Sequence, residues 1–245
     1  MRASLANLPL LNADLGEGYE FDEQLFPLLD VANIACGGHA GDEDSMVLAC
    51  QRAIHFKVQV GAHPSYPDRE GFGRRKPAGP LNGLYSSLCK QIETFENIAA
   101  KQGLKTRHFK PHGQLYNDAA FDAEMAGLLL RVAKDFPHLS VYVLAGSPLV
   151  DWADQEDVDV VEEAFPDRRY QADGRLRPRR FADALIEDTR QVALQAESMV
   201  RGEPLVTAEG ESLIVKAGTL CLHGDSPQAL ENARAVRKMM DGLIG

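Results

Sequence analysis

The chain alternates short apolar runs with longer stretches of helical period. The expected strands are LLNADL (10–15), VANIAC (31–36), VQVGAHP (58–64), RHFKPHG (107–113), SVYVLAG (140–146), DVVEEAF (159–165) and TLCLHGD (219–225). Between them, apolar positions recur at helical spacing. Met46, Cys50, Ala53 and Ile54 share a face in 43–57, and Met125, Leu128, Leu129, Val132 and Phe136 share one in 120–136. Ser147-Pro148 and Ser226-Pro227 each place an N-cap serine before a proline at the first helical position. Seven strand–helix alternations predict an α/β fold, a parallel sheet closed into one TIM-like (β/α) barrel domain over 1–245, with seven strands instead of eight. No internal repeat, low-complexity tract or linker interrupts the pattern.

Polar residues collect at one end of these strands. The first ends Asn12-x-Asp14 and leads to Glu17; the second runs through Asn33 to Cys36 and His39. The third ends at His63, the fourth at Lys110-x-His112, the sixth offers Glu163, and the seventh ends His223-x-Asp225. Residues two apart on a strand share a face, so these pairs aim at one place. In a βα barrel that place is the C-terminal mouth, where active sites are built. Each residue also has a structural reading: Asp42 and Asp225 as helix caps, and Asp14 as an acceptor for the turn amides of LGEG. So many ionisable strand ends on one side favour a site, with the Gly-rich NIACGGHAGD (33–42) as its second loop. His55 and His138 fall outside these endings and receive no role.

The charge balance narrows the partners. With 36 acidic against 26 basic residues the net charge is −10, which repels phosphate backbones and argues against nucleic acid. No apolar run approaches the roughly 18 residues of a membrane helix, and the first twenty residues lack the apolar stretch of a secretory signal; a cytoplasmic protein is expected. The four cysteines, Cys36, Cys50, Cys89 and Cys221, show neither CxxC nor zinc spacing. Basic residues concentrate in two long connections, YPDREGFGRRKPAGP (66–80) and PDRRYQADGRLRPRR (166–180). Both follow strands ending in site residues, so both are expected to overhang the mouth as lids carrying Arg74, Arg75 and the arginines of 168–180.

Six ordered motifs, NADLGEG, NIACGGHAGD, VGAHPSYPDREGFGRR, KPHGQLYN, EEAFPDRRYQADGRLRPR and LCLHGD, resemble the LamB/YcsF family, the A subunits of bacterial 5-oxoprolinase. The resemblance runs over nearly the whole chain. It implies an irregular (β/α) barrel related to polysaccharide deacetylases, and an activity that opens 5-oxo-L-proline to L-glutamate using ATP, together with 5-oxoprolinase B and C subunits. This chain departs from the family pattern in four ways. The segment from Gly18 to Asp30 is shortened. CGGHAGDE, with Gly38 and Glu43, replaces CGFHAGDP; Ala13 stands where Cys is frequent, and Ser65 where Gly is usual.

The chemistry fits a lactam, a stable amide whose opening needs carbonyl activation. Phosphorylation of its oxygen would supply that, and the absence of a GxxxxGK[ST] loop agrees with ATP, the co-substrate, being handled jointly with partner subunits. By chemistry and position, the catalytic residues are expected to be Asp14, His39, His63, Lys110 and His112, with Asp14 or His112 as general base. Glu17, Asn33, Arg74, Glu163, His223 and Asp225 are expected at the substrate, Lys110 and Arg74 binding anions while Glu17 and Glu163 orient their neighbours. An aspartate and two histidines at separate strand ends could also hold a divalent ion, as in the related deacetylases, but no HxxxH or HExxH spacing selects ligands and no metal is assigned. Cys36 is a weaker candidate nucleophile, since no motif pairs it with a histidine. The alternatives are a stand-alone metal-dependent amidohydrolase or deacetylase, and a non-catalytic ligand-binding scaffold subunit.

Overall fold

The computed structural model describes residues 8–244; residues 1–7, on which the leader reading partly rests, lie outside it. Seven parallel strands close a barrel in chain order: β1 (Leu10–Leu15), β2 (Val31–Ala35), β3 (Gln59–His63), β4 (Thr106–Phe109), β5 (Ser140–Leu144), β6 (Val160–Ala164) and, last, β9 (Thr219–Leu222). β9 pairs with both β1 and β6, which completes the ring. β7 (Leu205–Val206) and β8 (Ser212–Leu213) form a separate antiparallel pair between β6 and β9. The helices are α1 (Asp22–Leu25), α2 (Glu43–Phe56), α3 (Leu81–Lys101), α4 (Gly113–Phe121), α5 (Ala123–Asp135), α6 (Pro148–Gln155), α7 (Thr189–Arg201) and α8 (Ala229–Ile244). The seven-stranded barrel expected from the alternation is the one that forms.

The strand pattern explains where polarity goes. In β1, Leu11, Ala13 and Leu15 join the apolar core, while Asn12 and Asp14 alternate with them and point into the barrel. Burying amides there requires partners. Asn12 donates to Glu163 Oε1 (3.0 Å) and Thr219 Oγ1 (2.7 Å), and Asn33 donates to Asn12 Oδ1 (2.8 Å) and Asp14 Oδ1 (2.8 Å). The His108 ring meets Asn33 Oδ1 at 2.6 Å. Gly61 is the position that admits this ring, because a Cβ there would collide with it. The barrel is thus filled by a connected polar network that ties one strand end to the next.

Three helix readings need correction. Ile54 is 48% exposed, because it sits about 100° around α2 from Ala53 and leaves the buried face of Met46, Cys50 and Ala53. The 120–136 window is interrupted at Asp122, which ends α4 and caps α5 through bonds from the Glu124 and Met125 amides. Ser147 does precede Pro148 at the start of α6, but α8 begins only at Ala229, after a turn closed by its amide on the Ser226 carbonyl. Asp42 caps α2 in a reciprocal box with Ser45, as its sequence position suggested.

Candidate active site

Strand ends deliver the polar residues to one mouth. β4 stops at Phe109, yet the chain stays tethered to β3: the Lys110 amide donates to the Ala62 carbonyl (2.9 Å) and the His112 amide to the Pro64 carbonyl (2.8 Å). Lys110 therefore projects from a fixed backbone, and His112 sits at the N-cap position of α4.

Lys110 is the centre of the floor. Its Nζ lies 2.9 Å from Asp14 Oδ1, 3.2 Å from Glu163 Oε2 and 3.0 Å from Cys221 Sγ. Burial works against its charge, but Asp14 and the other acidic neighbours win and hold the ammonium well above its usual range. Burial likewise opposes ionisation of Asp14, and His63 with Lys110 outweighs it, keeping the carboxyl well below its ordinary value. Glu163, fully buried, is pushed up by that burial despite Lys110. Burial also keeps Cys221 a thiol.

Beside Asp14 lies a compact group. Glu17 Oε1 is 2.8 Å from His39 Nε2, 3.3 Å from His112 Nδ1 and 3.7 Å from His63 Nε2. His63 Nε2 is 3.0 Å from His112 Nδ1 and 3.3 Å from Asp14 Oδ2. His39 and His112 stack with ring centroids 3.6 Å apart. Burial, followed by the nearby Asp14, Asp22 and Asp225, pushes the Glu17 carboxyl up; burial and the neighbouring imidazoles push His39 and His112 down. The four ligand atoms of Glu17, His39, His63 and His112 lie within 4.8 Å of one another, so this group can hold a metal ion.

The opposite wall is cationic and open. A cavity of about 420 Å³ is lined by Asp14, Glu17, Lys110 and His112 on one side and by Arg74, Arg168, Arg179, His223 and Asp225 on the other. Asp225 is not a helix cap: it accepts from Arg179 Nη1 (2.9 Å) and lies 3.5 Å from Arg74 Nη2. His223 is held by Asp167, whose carboxylate accepts from both its backbone amide (2.9 Å) and its Nδ1 (2.9 Å). Both long connections do overhang the mouth. In 66–80 the Phe72 carbonyl accepts from His112 Nε2 (3.0 Å), and 166–180 supplies Arg168, Arg175 and Arg179. Arg75 does not join them, since Asp68 binds its guanidinium within its own loop.

Comparison with known proteins settles the lineage. The profile of the LamB/YcsF family matches residues 10–243. This chain belongs to the LamB/YcsF family. The lactam utilization protein from Thermus thermophilus is 37% identical, with 96% of this chain and 97% of that chain covered at a TM-score of 0.88. A proposed cellobiose-phosphate cleavage protein from Enterococcus faecalis shares the fold alone, at 14% identity and a TM-score of 0.54 over 96% of this chain and 91% of that one.

The departures from the LamB/YcsF pattern have structural sense. A Cβ at Gly38 would collide with Ser65 Oγ and Gln91 Oε1, so the small residue at 38 and the larger one at 65 compensate each other. The shortened 18–30 segment closes on the barrel through buried Leu25 and Phe26, and the Gly16 amide donates to Asp22 (2.9 Å), which takes the turn-amide role considered for Asp14. Asn33 and Glu163 are fully buried behind Asp14 and Lys110 and do not line the cavity, which corrects their expected place at the substrate. Cys36 is also buried, its thiol pushed up to about 12 by that burial, which removes it as a nucleophile. His108 and Asp167 also support the site, through Asn33 and His223, although neither ends a strand. His108 shares a parity with Lys110 and His112 that could have revealed it; Asp167 carries no such signal.

Proposed function

We propose that this LamB/YcsF member is the A-type subunit of an ATP-dependent 5-oxoprolinase, opening 5-oxo-L-proline to L-glutamate together with B- and C-type subunits. The observation that carries this reading is the cavity floor, where an ionised Asp14 is fixed beside Lys110 beneath an arginine-lined wall. The likeness to a lactam utilization protein supports an amide ring as substrate. The cavity volume is small enough to enclose a compact cyclic acid and one transferred group.

The residues divide the work by charge. Arg74 and Arg179 receive the substrate carboxylate, exchanging part of their contact with Asp225. Once ATP has phosphorylated the lactam oxygen and ADP has left, Lys110 stabilises the negative charge of the phosphoryl-bearing oxygen at the carbon that water attacks. Asp14 accepts the proton of the attacking water through Oδ2, the oxygen that Lys110 and Asn33 leave free. The ring C–N bond then breaks, its nitrogen takes up the proton held by Asp14, and a second water hydrolyses the acyl phosphate so formed to glutamate and phosphate. His112 is less suited as base, because its Nε2–H is committed to the Phe72 carbonyl and its Nδ1 faces His63. Asn33, His108 and Glu163 position Asp14 and Lys110 from below.

Reconstitution tests the proposal. Glutamate is followed from 5-oxoproline with the purified chain alone, with partner subunits, and with and without ATP. Turnover requiring all three components is expected. Robust release by the chain alone would overturn the multisubunit reading. The amidohydrolase alternative has one observation in its favour, the Glu17 and histidine group, and predicts chelator-sensitive, ATP-independent hydrolysis by the chain alone.

A further inference from the structure

His63 and His112 face each other with the wrong atoms for a hydrogen bond between neutral rings. His63 Nδ1 is 2.7 Å from the Lys110 carbonyl, so that nitrogen carries a proton and donates. His112 Nε2 donates in the same way to the Phe72 carbonyl. In each neutral ring the remaining nitrogen is a bare lone pair, and those two nitrogens, His63 Nε2 and His112 Nδ1, stand 3.0 Å apart. Glu17 Oε1 and His39 Nε2 point at the same spot. A proton on His63 Nε2 would join it to His112 Nδ1 and to Asp14 Oδ2, 3.3 Å away, but would leave Glu17 Oε1 facing the bare His112 Nδ1 at 3.3 Å. A single cation between them gives Glu17, His63 and His112 a common partner, and His39, whose ring lies flat on that of His112, joins it by turning Nε2 towards the same ion.

We infer that Glu17, His39, His63 and His112 form a built site for one divalent transition ion of the zinc class, bound by this chain without its partners. Three imidazoles with one carboxylate are donors that zinc-like ions prefer, whereas magnesium and calcium take oxygen ligands. Zinc–ligand bonds of about 2.0–2.1 Å in a tetrahedron imply ligand–ligand edges of about 3.3 Å. Four of the six edges, at 2.8, 3.0, 3.3 and 3.7 Å, bracket that value, and all six lie within 4.8 Å. The carbonyls on His63 and His112 are the outer partners that fix tautomer and ring direction in metal-ligating histidines. His39 lacks one: its Nδ1 is buried without a partner, so it is the weakest ligand of the set. Gly73 ties the 66–80 loop to this site, since a Cβ there would lie 2.9 Å from His112 Cδ2 and 3.0 Å from His39 Cβ. The inference goes beyond the proposed function, because binding is measured without substrate, ATP or partners.

Untagged protein, stripped with chelator, is titrated with ZnCl2, CoCl2 and MgCl2 by calorimetry and elemental analysis. One zinc per chain is expected, with magnesium at least 100-fold weaker, and one cobalt giving the intense visible bands of a four-coordinate nitrogen and oxygen site. H63Q and H112Q should each weaken zinc binding by about 100-fold or more, H39Q by less. G73A keeps every ligand and should weaken it about 10-fold through His112. H138Q, at an exposed histidine paired with Glu96, should bind as the parent does. Far-UV circular dichroism confirms that each variant is folded, and the cobalt spectrum of the parent stands if one is not. Failure to retain zinc, a preference for magnesium, an octahedral cobalt spectrum, or undiminished binding by folded H63Q and H112Q would each overturn the inference.

Discussion

The two walls of the mouth are built on opposite principles. On the β1–β4 side, the rings of His39, His63 and His112 crowd together around Glu17, with polar atoms turned towards one another. On the side of β6 and β9, Arg74 and Arg179 stand around Asp225 with much of their side chains in solvent, at 50% and 33% exposure. The crowded wall is suited to hold a cation it can enclose. The open wall is suited to receive an anion that arrives and leaves. Lys110 and Asp14 lie where the walls meet, and that is where reaction chemistry belongs. Changes at the junction should therefore cost more than changes on either wall.

The junction gives the largest expected effect. D14N removes the proposed proton acceptor while keeping its shape and leaves Glu163 to pair with Lys110, so turnover of the reconstituted complex should fall on the order of 10²-fold or more with little change in melting temperature. Near-normal rates in a folded D14N complex would move the active centre away from the junction. K110M tests the same place through stability. It leaves Asp14 and Glu163 as buried carboxylates without their cation, and chemical denaturation should show a loss of about 3–5 kcal/mol. A loss no larger than that of an exposed lysine would mean that the ion pair contributes little to the barrel.

What could be read from the sequence follows the same division. The strands, their order and most mouth residues were legible because each polar residue terminates a short apolar run at a fixed parity. Asn12-x-Asp14 and Lys110-x-His112 carry their own geometry. His108 obeys the same two-residue spacing, but it lies inside a strand, where a histidine carries no signal that separates it from the barrel core. The pairing of His223 with Asp167 joins residues 56 apart through a loop, and no local period encodes it. Nor does any local pattern announce that Gly38 and Ser65 trade volume, or that Arg75 turns back to Asp68 while Arg74 reaches the cavity. Long-range packing decides those cases.

A smaller effect is expected in acid, on the open wall. Burial would raise the Asp167 carboxyl, but His223 and its amide outweigh that and hold it below the ordinary value. A carboxyl depressed in the folded state stabilises it above the unfolded pKa of about 3.9 and loses that contribution as pH falls through the folded value. D167N should therefore be less stable than the parent at pH 7, and the gap should shrink as pH is lowered from about 5 towards 2. A gap that stays constant across that window would show that Asp167 acts through packing alone.

The smallest effect is expected from R74K. Half the Arg74 side chain is solvent-exposed, its 3.5 Å contact with Asp225 is long, and Arg179 holds the same carboxylate more closely. Solvent screening makes such a pair worth little to the fold, so the melting temperature should not move. Function is another matter, because a lysine point charge cannot present the planar fork that grips a carboxylate through two bonds. KM for 5-oxoproline in the reconstituted complex should rise several-fold with kcat nearly unchanged, the signature of an interaction made equally in the ground and transition states. A fall in kcat at constant KM would instead place Arg74 at the reacting group. That result would carry anion recognition to Arg179 and erase the separation between an open binding wall and a reactive junction.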